Sequence, residues 1–462
     1  MPDLETSRRL QWAVFSAGLA LWLLAGAVTW PVALSFYDAI GYVGQARLLL
    51  EGQLGPEIDS VGVWVTGSEA VVPVYPLFLP LLLAPLLAIS PALVFLPSFA
   101  SAGALAGISA AVLSRWRAAP AWGLLVLAHP TVILLSRTVM ADLLLTSAAV
   151  GAWWALRRGR PAVTAVLFGL TVLAKPTGIP IAIALIVGEG LVLWRGQPAT
   201  RESMLRAWRS AIAGGCLGAV AVVGMNLLTT GSPQYGYAWL RPDEPAFALA
   251  YLSSSGLVHL RTLLLLPPAL LLGLWFLGRR RAWGPCLAIV SLTLMMSAYW
   301  FTDGGRTAVL DLVLAPRLLL PAVGLLMLGY ADMLESLSRR LGLARAAPWI
   351  LLILAPTLAL AIGRHHSRWQ APMGEARLAA ERVLERYGDG SIAMTAPALK
   401  AGILSRADLI WFRASERRPC VLLCNLDSSF RTGGIFYCDW PGYEQMEAID
   451  TYRVLVHTTC LD

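Results

Sequence analysis

The chain has 462 residues, 57% of them hydrophobic and only 14% charged, with a formal net charge of +8. Soluble domains carry about 25% charged residues, so the composition excludes a soluble globular protein. The Lys and Arg residues fall in short clusters between apolar runs, where they set topology and meet anionic head groups; they give no reason to expect a nucleic-acid partner.

In chain order, Arg8-Arg9 precede an apolar run from about Gln11 to Leu34. That run exceeds the 7–15 residues of a signal-peptide core, and further spans follow, so it reads as a retained first helix. Basic clusters recur at Arg115-Trp116-Arg117, Arg157 to Arg160, Arg195 to Arg209, Arg279-Arg280-Arg281 and Arg339 to Arg345. If every cluster is cytoplasmic, the apolar runs between them pair up. About eleven membrane helices result, near 11–34, 92–113, 121–136, 143–157, 162–175, 177–194, 210–229, 260–278, 283–301, 316–335 and 348–364. The fold class is then an all-α polytopic membrane protein in the inner (plasma) membrane, with its N-terminus cytoplasmic. Residues 1–364 form the membrane domain. Residues 365–462 lose the apolar runs and form a small extracytoplasmic α/β appendage. In it, 375–387 is helical and 391–395, 421–424 and 452–457 are strand-like.

That topology defines the outer segments. The first is a large loop, 35–91. Ala39 to Glu51 within it reads as a short interfacial helix closed by Gly52. The stretch Pro73 to Pro85 has four prolines in apolar surroundings, which points to a segment lying along the interface or dipping in and returning. Later outer segments hold His129-Pro130, Ser136 to Asp142, Lys175-Pro176-Thr177-Gly178, residues 230–259, and Thr302 to Ala315.

Ionised side chains at bilayer depth cost at least ~2.5–3.5 kcal/mol and tend to be functional. The candidates are Asp38, Arg137, Asp142, Lys175, Asp303, Arg306, Asp311 and Arg317, all on the outer side. Topology explains the inner arginines but not outer charges of both signs beside span ends. Each has a plain alternative. Asp38 could be an interfacial cap, and Asp142 sits where the helix dipole favours an acid. Lys175 could snorkel, Arg306 is a loop residue, and His129 and His365-His366 fit an interface. Arg317, after a proline at a helix start, opposes the dipole and is a better anion-binding candidate. The tryptophans read as interfacial belts.

Four of six cysteines, Cys420, Cys424, Cys438 and Cys460, lie in the appendage. An oxidising compartment allows two disulfides in three pairings. Free thiols and a zinc site are the alternatives; Cys420 and Cys424 have loose zinc spacing, Cys438 and Cys460 do not form a second pair. Cys216 and Cys286 are packing residues in apolar spans.

In order and spacing, four blocks resemble the GT-C membrane glycosyltransferases, in particular the family of protein mannosyltransferases and aminoarabinose lipid A transferases. They are Tyr37-Asp38-Ala39 to Gly52, Tyr75-Pro76-Leu77-Phe78-Leu79-Pro80, Pro130 through Arg137 to Asp142, and Gly169 through Lys175 to Gly178. Pro316-Arg317-Leu318-Leu319-Leu320-Pro321 is a weaker fifth. The likeness spans roughly residues 10–335. It implies an inverting transfer of a hexosyl or pentosyl group from a polyprenyl-phosphate donor to a lipid, glycan or protein acceptor hydroxyl at the outer face. Asp38 is then the general base, with Asp142 as the second acidic residue of the catalytic site. Lys175 and Arg317, then Arg137 and Arg306, would hold the donor phosphate, and Tyr37, Tyr42, Tyr75 and His129 would line the substrate. No cofactor and no metal are implied. Ala39 stands where protein mannosyltransferases carry a second acid, which weighs against protein O-mannosylation. Asp38 and Asp142 should face one cavity, with Lys175 or Arg317 in reach of a phosphate there. A lipid-linked-substrate transporter or flippase, or a non-catalytic assembly partner, are the rival classes. A transporter suits the chain less well, because its charges gather at one face instead of at the midplane of repeated halves.

Overall fold

The computed structural model describes residues 2–34, 37–53, 64–66, 71–73, 76–194, 198–230, 247–265, 267–299, 315–344, 346–387, 392–394, 409–411, 421–425, 443–449 and 452–458. Arg306, Asp303, Asp311, Tyr75 and the cysteines Cys420, Cys438 and Cys460 lie outside them. Two compact units are present. The first comprises Met1–Thr29, Pro97–Gly224 and Arg241–Gly363; the second Trp30–Leu96, Met225–Leu240 and Arg364–Asp462.

The first unit contains α1 (Pro2–Val28), most of α4 (Leu96–Arg115), α5 (Leu124–Leu127), α6 (Pro130–Ser136), α7 (Ala141–Arg157), α8 (Pro161–Ala174) and α9 (Gly178–Trp194). It continues with most of α10 (Pro198–Thr230), then α11 (Ser255–Leu265), α12 (Leu272–Arg279), α13 (Trp283–Ser297), α14 (Leu320–Arg340) and the start of α15 (Ala347–Tyr387). Among the described residues five helices are long and apolar enough to cross a membrane, by length and composition, and a sixth results if α6 and α7, bent by 117° at their junction, are counted as one span. The chain is a multi-pass helical membrane protein.

Its core is α7 against α14. On α14, 78% of the most apolar window is buried, against 28% for the spans of α10 and α15. Small residues make the packing possible: Ala148, Ala149, Gly151 and Ala152 of α7 are buried, and helices in lipid rely on such close approach because lipid supplies no hydrophobic drive between them. Between α9 and α13, a Cβ on Gly188 would stand 2.5 Å from Gly284 Cα, so only glycine fits there.

Two expected spans are each broken in two. The run 121–136 stops at His129, whose backbone is extended ahead of Pro130, as the residue before a proline prefers. The run 260–278 is divided between α11 and α12; Pro267 and Pro268 lie in the gap, and proline cannot continue a helix ladder. The first span ends at Val28, short of Leu34.

The second unit holds α2 (Tyr37–Leu50) packed on α3 (Phe78–Ile89). α2 ends as expected. Gly52 has φ +76; its N–H bonds Leu49 O at 3.2 Å and the Gln53 N–H bonds Leu48 O at 2.8 Å, a Schellman stop. It is more buried than an interfacial helix: Ala39, Ile40, Tyr42, Val43, Gln45 and Ala46 are at most 3% exposed. The proline-rich stretch is helical, because Pro80 falls in the first turn of α3, where its missing N–H costs nothing, and Pro85 is carried inside the helix. A hairpin of β1 (Trp64–Thr66) and β2 (Val71–Pro73) precedes it.

The C-terminal part carries a five-stranded sheet in the order β4-β3-β5-β7-β6. Its strands are β3 (Ile392–Met394), β4 (Leu409–Trp411), β5 (Val421–Asn425), β6 (Tyr443–Ile449) and β7 (Tyr452–His457). β4, β3 and β5 run parallel, while β5, β7 and β6 pair antiparallel. β4 and β6 add to the three expected strands. The expected helices 348–364 and 375–387 are one helix, α15, of 41 residues.

Candidate active site

In the first unit, four of the expected site residues are placed around the bend between α6 and α7. Pro130 opens α6 and fixes its first turn, with His129 before it, 3% exposed. Arg137 caps the end of α6. Its Nη1 donates to Thr29 Oγ1 at 2.7 Å and its Nη2 to the Thr29 carbonyl, so it ties the end of α1 to the bend. Gly363 of α15 packs on this knot; a Cβ there would lie 2.4 Å from Thr29 Oγ1.

The start of α7 is pinned from α4. Ser98 Oγ donates to Met140 O at 3.2 Å and receives the Met140 N–H at 3.4 Å. Met140 is extended and gives α7 no side-chain cap, which leaves Asp142 in the first turn to meet the positive end of the dipole. Asp142 is 2% exposed. Its Oδ1 accepts from Lys175 Nζ at 2.8 Å. Its Oδ2 is buried with no hydrogen-bond partner among the described residues.

Lys175 comes from the turn between α8 and α9. The chain leaves α8 in an extended conformation at Lys175, φ −163 and ψ 149, because Pro176 follows. The turn closes through the Gly178 N–H on Lys175 O at 2.8 Å. Gly178 is required by space: a Cβ would stand 1.8 Å from Thr171 O. Lys175 is thus held by its backbone on one side and by Asp142 on the other. An ammonium has three donors, and one is spent on Asp142.

Arg317 ends a 3-10 turn, Ala315–Arg317, that packs on α6 and α11, and is 4% exposed. The unit therefore assembles His129, Arg137, Asp142, Lys175 and Arg317 on neighbouring elements.

In the second unit, Asp38 lies in the first turn of α2 and is half-buried. Tyr42, one turn on, is 3% exposed. The backbone leading into α2 is fixed by Gln370 of α15, fully buried, whose Oε1 accepts the Val32 N–H at 3.4 Å and whose Nε2 donates to Ala33 O. Trp30 Nε1 donates to Ala92 O at 2.9 Å in the same approach. Of Tyr37, only the backbone belongs to the description, as the first residue of α2.

Sequence reasoning missed Thr29, Ser98 and Gln370, since all three act on backbone or side chains far away in the chain. It also missed three buried carboxylates at the other end of the first unit. Glu189 of α9 is fully buried, with Arg157 Nε at 2.5 Å and Trp153 Nε1 at 2.8 Å. Asp332 of α14 takes both Nε and Nη2 of Arg280, at 2.9 and 2.7 Å. Glu335 takes Trp122 Nε1 at 2.6 Å and Arg339 Nε at 2.7 Å. The basic clusters meet there. Arg8 donates to Ser114 Oγ at 2.8 Å, Arg339 to Arg117 O at 2.6 Å and Arg157 to Arg281 O, while Arg280 covers Trp116 at 5.6 Å. Asp142 and Arg157 sit at opposite ends of α7, about 22 Å apart at 1.5 Å per residue. The Lys175 pair and the arginine face therefore occupy opposite ends of the unit. Among the described residues no three of His, Cys, Asp or Glu are grouped to hold a metal ion.

No known protein-family model matches the sequence, and no curated protein matches it. Solved structures do match its fold. ArnT from Cupriavidus metallidurans bound to undecaprenyl phosphate aligns with TM-score 0.58 and 12% identity, over 96% of this chain and 97% of that one. The apo state of the same protein gives 0.59 and 14% over the same shares. The oligosaccharyltransferase AglB from Archaeoglobus fulgidus, in complex with an inhibitory peptide and a dolichol-phosphate, gives 0.43 and 11% over 89% of this chain and 70% of that one, too slight a likeness to argue from. The chain has the GT-C fold, as the order of its sequence blocks led one to expect.

Proposed function

We propose that the protein is an inverting glycosyltransferase that moves a sugar from a polyprenyl-phosphate donor to an acceptor hydroxyl at the membrane face opposite the arginine clusters. The observation that carries the reading is the Lys175–Asp142 pair, held at the end of the unit away from the arginine face. The fold of ArnT, a protein crystallised with undecaprenyl phosphate, supports a lipid phosphate as the donor's leaving group.

The chemistry follows from the roles of the groups. Asp38 takes the proton of the acceptor hydroxyl as its oxygen bonds to the anomeric carbon. The bond from that carbon to the phosphate oxygen breaks on the opposite side, and the lipid phosphate leaves with the electron pair. General-base catalysis contributes about 10²–10⁴-fold; the rest must come from charges already aimed at the leaving phosphate. Lys175 offers the two ammonium donors that Asp142 does not use. Arg317 offers a guanidinium, whose fork suits a phosphate. In this reading Asp142 orients Lys175, and Arg137 holds the bend through Thr29. The arginine face is cytoplasmic, as positively charged loops are, and the C-terminal sheet is extracytoplasmic.

Asp38→Asn tests it. With a polyprenyl-phosphate sugar and membrane acceptors, turnover should fall by about 10²-fold or more while thermal unfolding in detergent is unchanged. Unchanged turnover would remove Asp38 from the mechanism. Absence of transfer by the wild-type chain from any lipid-phosphate sugar would turn the assignment to a transporter or a non-catalytic partner.

A further inference from the structure

α12 and α13 diverge from the Arg279-Arg280-Arg281 turn and leave between them an open groove of about 740 Å³. Its walls are Leu271, Trp275, Trp283, Leu287 and Val290, with Arg279 at one end. The apolar wall faces outward: Trp275 is 69% exposed, Trp283 42% and Val290 44%. On a membrane protein such a surface meets lipid.

The arginine end gives the groove a polarity. Arg280 is neutralised by Asp332. Arg279 is not: it lies over the Phe276 ring at 5.6 Å and has no carboxylate partner among the described residues. Arg281 is exposed beside it. The groove runs down α12 from Arg279 to Leu271, about 12 Å at 1.5 Å per residue. Half of a ~30 Å hydrocarbon core is about 15 Å. A single leaflet lipid has this shape, with an acyl chain of leaflet depth and a charged group at the interface. Gly278 lines the groove, and nothing lies within 4 Å of where its Cβ would stand, so a long side chain there has open space to enter.

We propose that this groove is a binding site for an anionic glycerophospholipid of the leaflet at the arginine face. The acyl chain lies between Trp275 and Trp283, and Arg279 meets the headgroup phosphate. Arginine pockets between membrane helices suit such head groups. The site is at the end of the first unit opposite Lys175, so it stands apart from the transferase reading.

Native mass spectrometry of the purified full-length protein reads it directly. Phosphatidylglycerol and phosphatidylcholine with the same acyl chains are titrated separately. One phosphatidylglycerol should bind about fivefold more tightly than phosphatidylcholine, the worth of one arginine at a lipid surface. Arg279→Ser should abolish that preference. Gly278→Leu should weaken both lipids by filling the groove. Arg158→Ser, an exposed arginine stacked on Trp154 at the same face, should change neither. Equal binding of the two lipids by the wild-type protein, or a preference that survives Arg279→Ser, overturns the proposal. So does displacement of the phosphatidylglycerol by equimolar undecaprenyl phosphate, which would make the groove a polyprenyl site.

Discussion

Lys175 is held twice, by a turn that fixes its backbone and by a carboxylate from another helix. Removing one member of a buried ion pair strands the other and costs about 3–5 kcal/mol, whereas replacing both is close to neutral. Lys175 is 15% exposed, so the lower end applies. Lys175→Met should therefore lower the unfolding temperature in detergent by several degrees, and turnover by about tenfold or more. The double variant Asp142→Asn with Lys175→Met should regain the stability and not the turnover, if the ammonium serves the phosphate. Recovery of both would make the pair structural only. Asp142 and Lys175 were legible in the sequence because an ionised group beside an apolar run is conspicuous. Thr29 and Gln370 were not. Their partners lie 108 and 337 residues away, and a threonine or a glutamine carries no sign of which backbone it will meet.

Among the elements, proline decided what could be read. Pro130 ends one helix and starts the next, and Pro267-Pro268 lie between α11 and α12. Hydropathy averaged over a span passes over both breaks, so the count of about eleven spans merged helices that the backbone keeps apart. The Gly52 stop was legible because its αL conformation favours glycine. β4 and β6 were not, since short strands depend on neighbours that pair with them. Gly178 gives a test at this scale. A methyl 1.8 Å from the Thr171 carbonyl cannot fit, so α8 and α9 must separate. Gly178→Ala should cost about 1–3 kcal/mol and reduce turnover by displacing Lys175. Gly107→Ala, with open space around its Cβ, should do neither. A Gly178→Ala protein of wild-type stability and turnover would show that the turn does not constrain the lysine.

For the whole molecule, charge punctuation in the sequence anticipated that the basic clusters share one side, and five of them are joined by the contacts of Arg8 with Ser114, Arg339 with Arg117, Arg157 with Arg281 and Arg280 with Trp116. What punctuation could not reveal is that three buried carboxylates neutralise part of this face. Glu189 and Asp332 are each paired with an arginine of another element, and Glu335 takes Trp122 from another element and Arg339 of its own helix, while Arg158, Arg279 and Arg281 stay exposed at this face. The transferase reading needs that face inside. Polyprenyl-phosphate sugars used at the outer leaflet must meet the Lys175 end, about 22 Å away along α7. Single cysteines at exposed Arg158 and exposed Glu444, treated with a membrane-impermeant maleimide on intact cells and read peptide by peptide by mass, separate the orientations. Glu444→Cys should label on intact cells, and Arg158→Cys only after permeabilisation. Labelling of Arg158→Cys from outside would invert the molecule, put the Lys175–Asp142 pair at the cytoplasmic leaflet, and remove the outer-leaflet donor from the mechanism while leaving the fold as described.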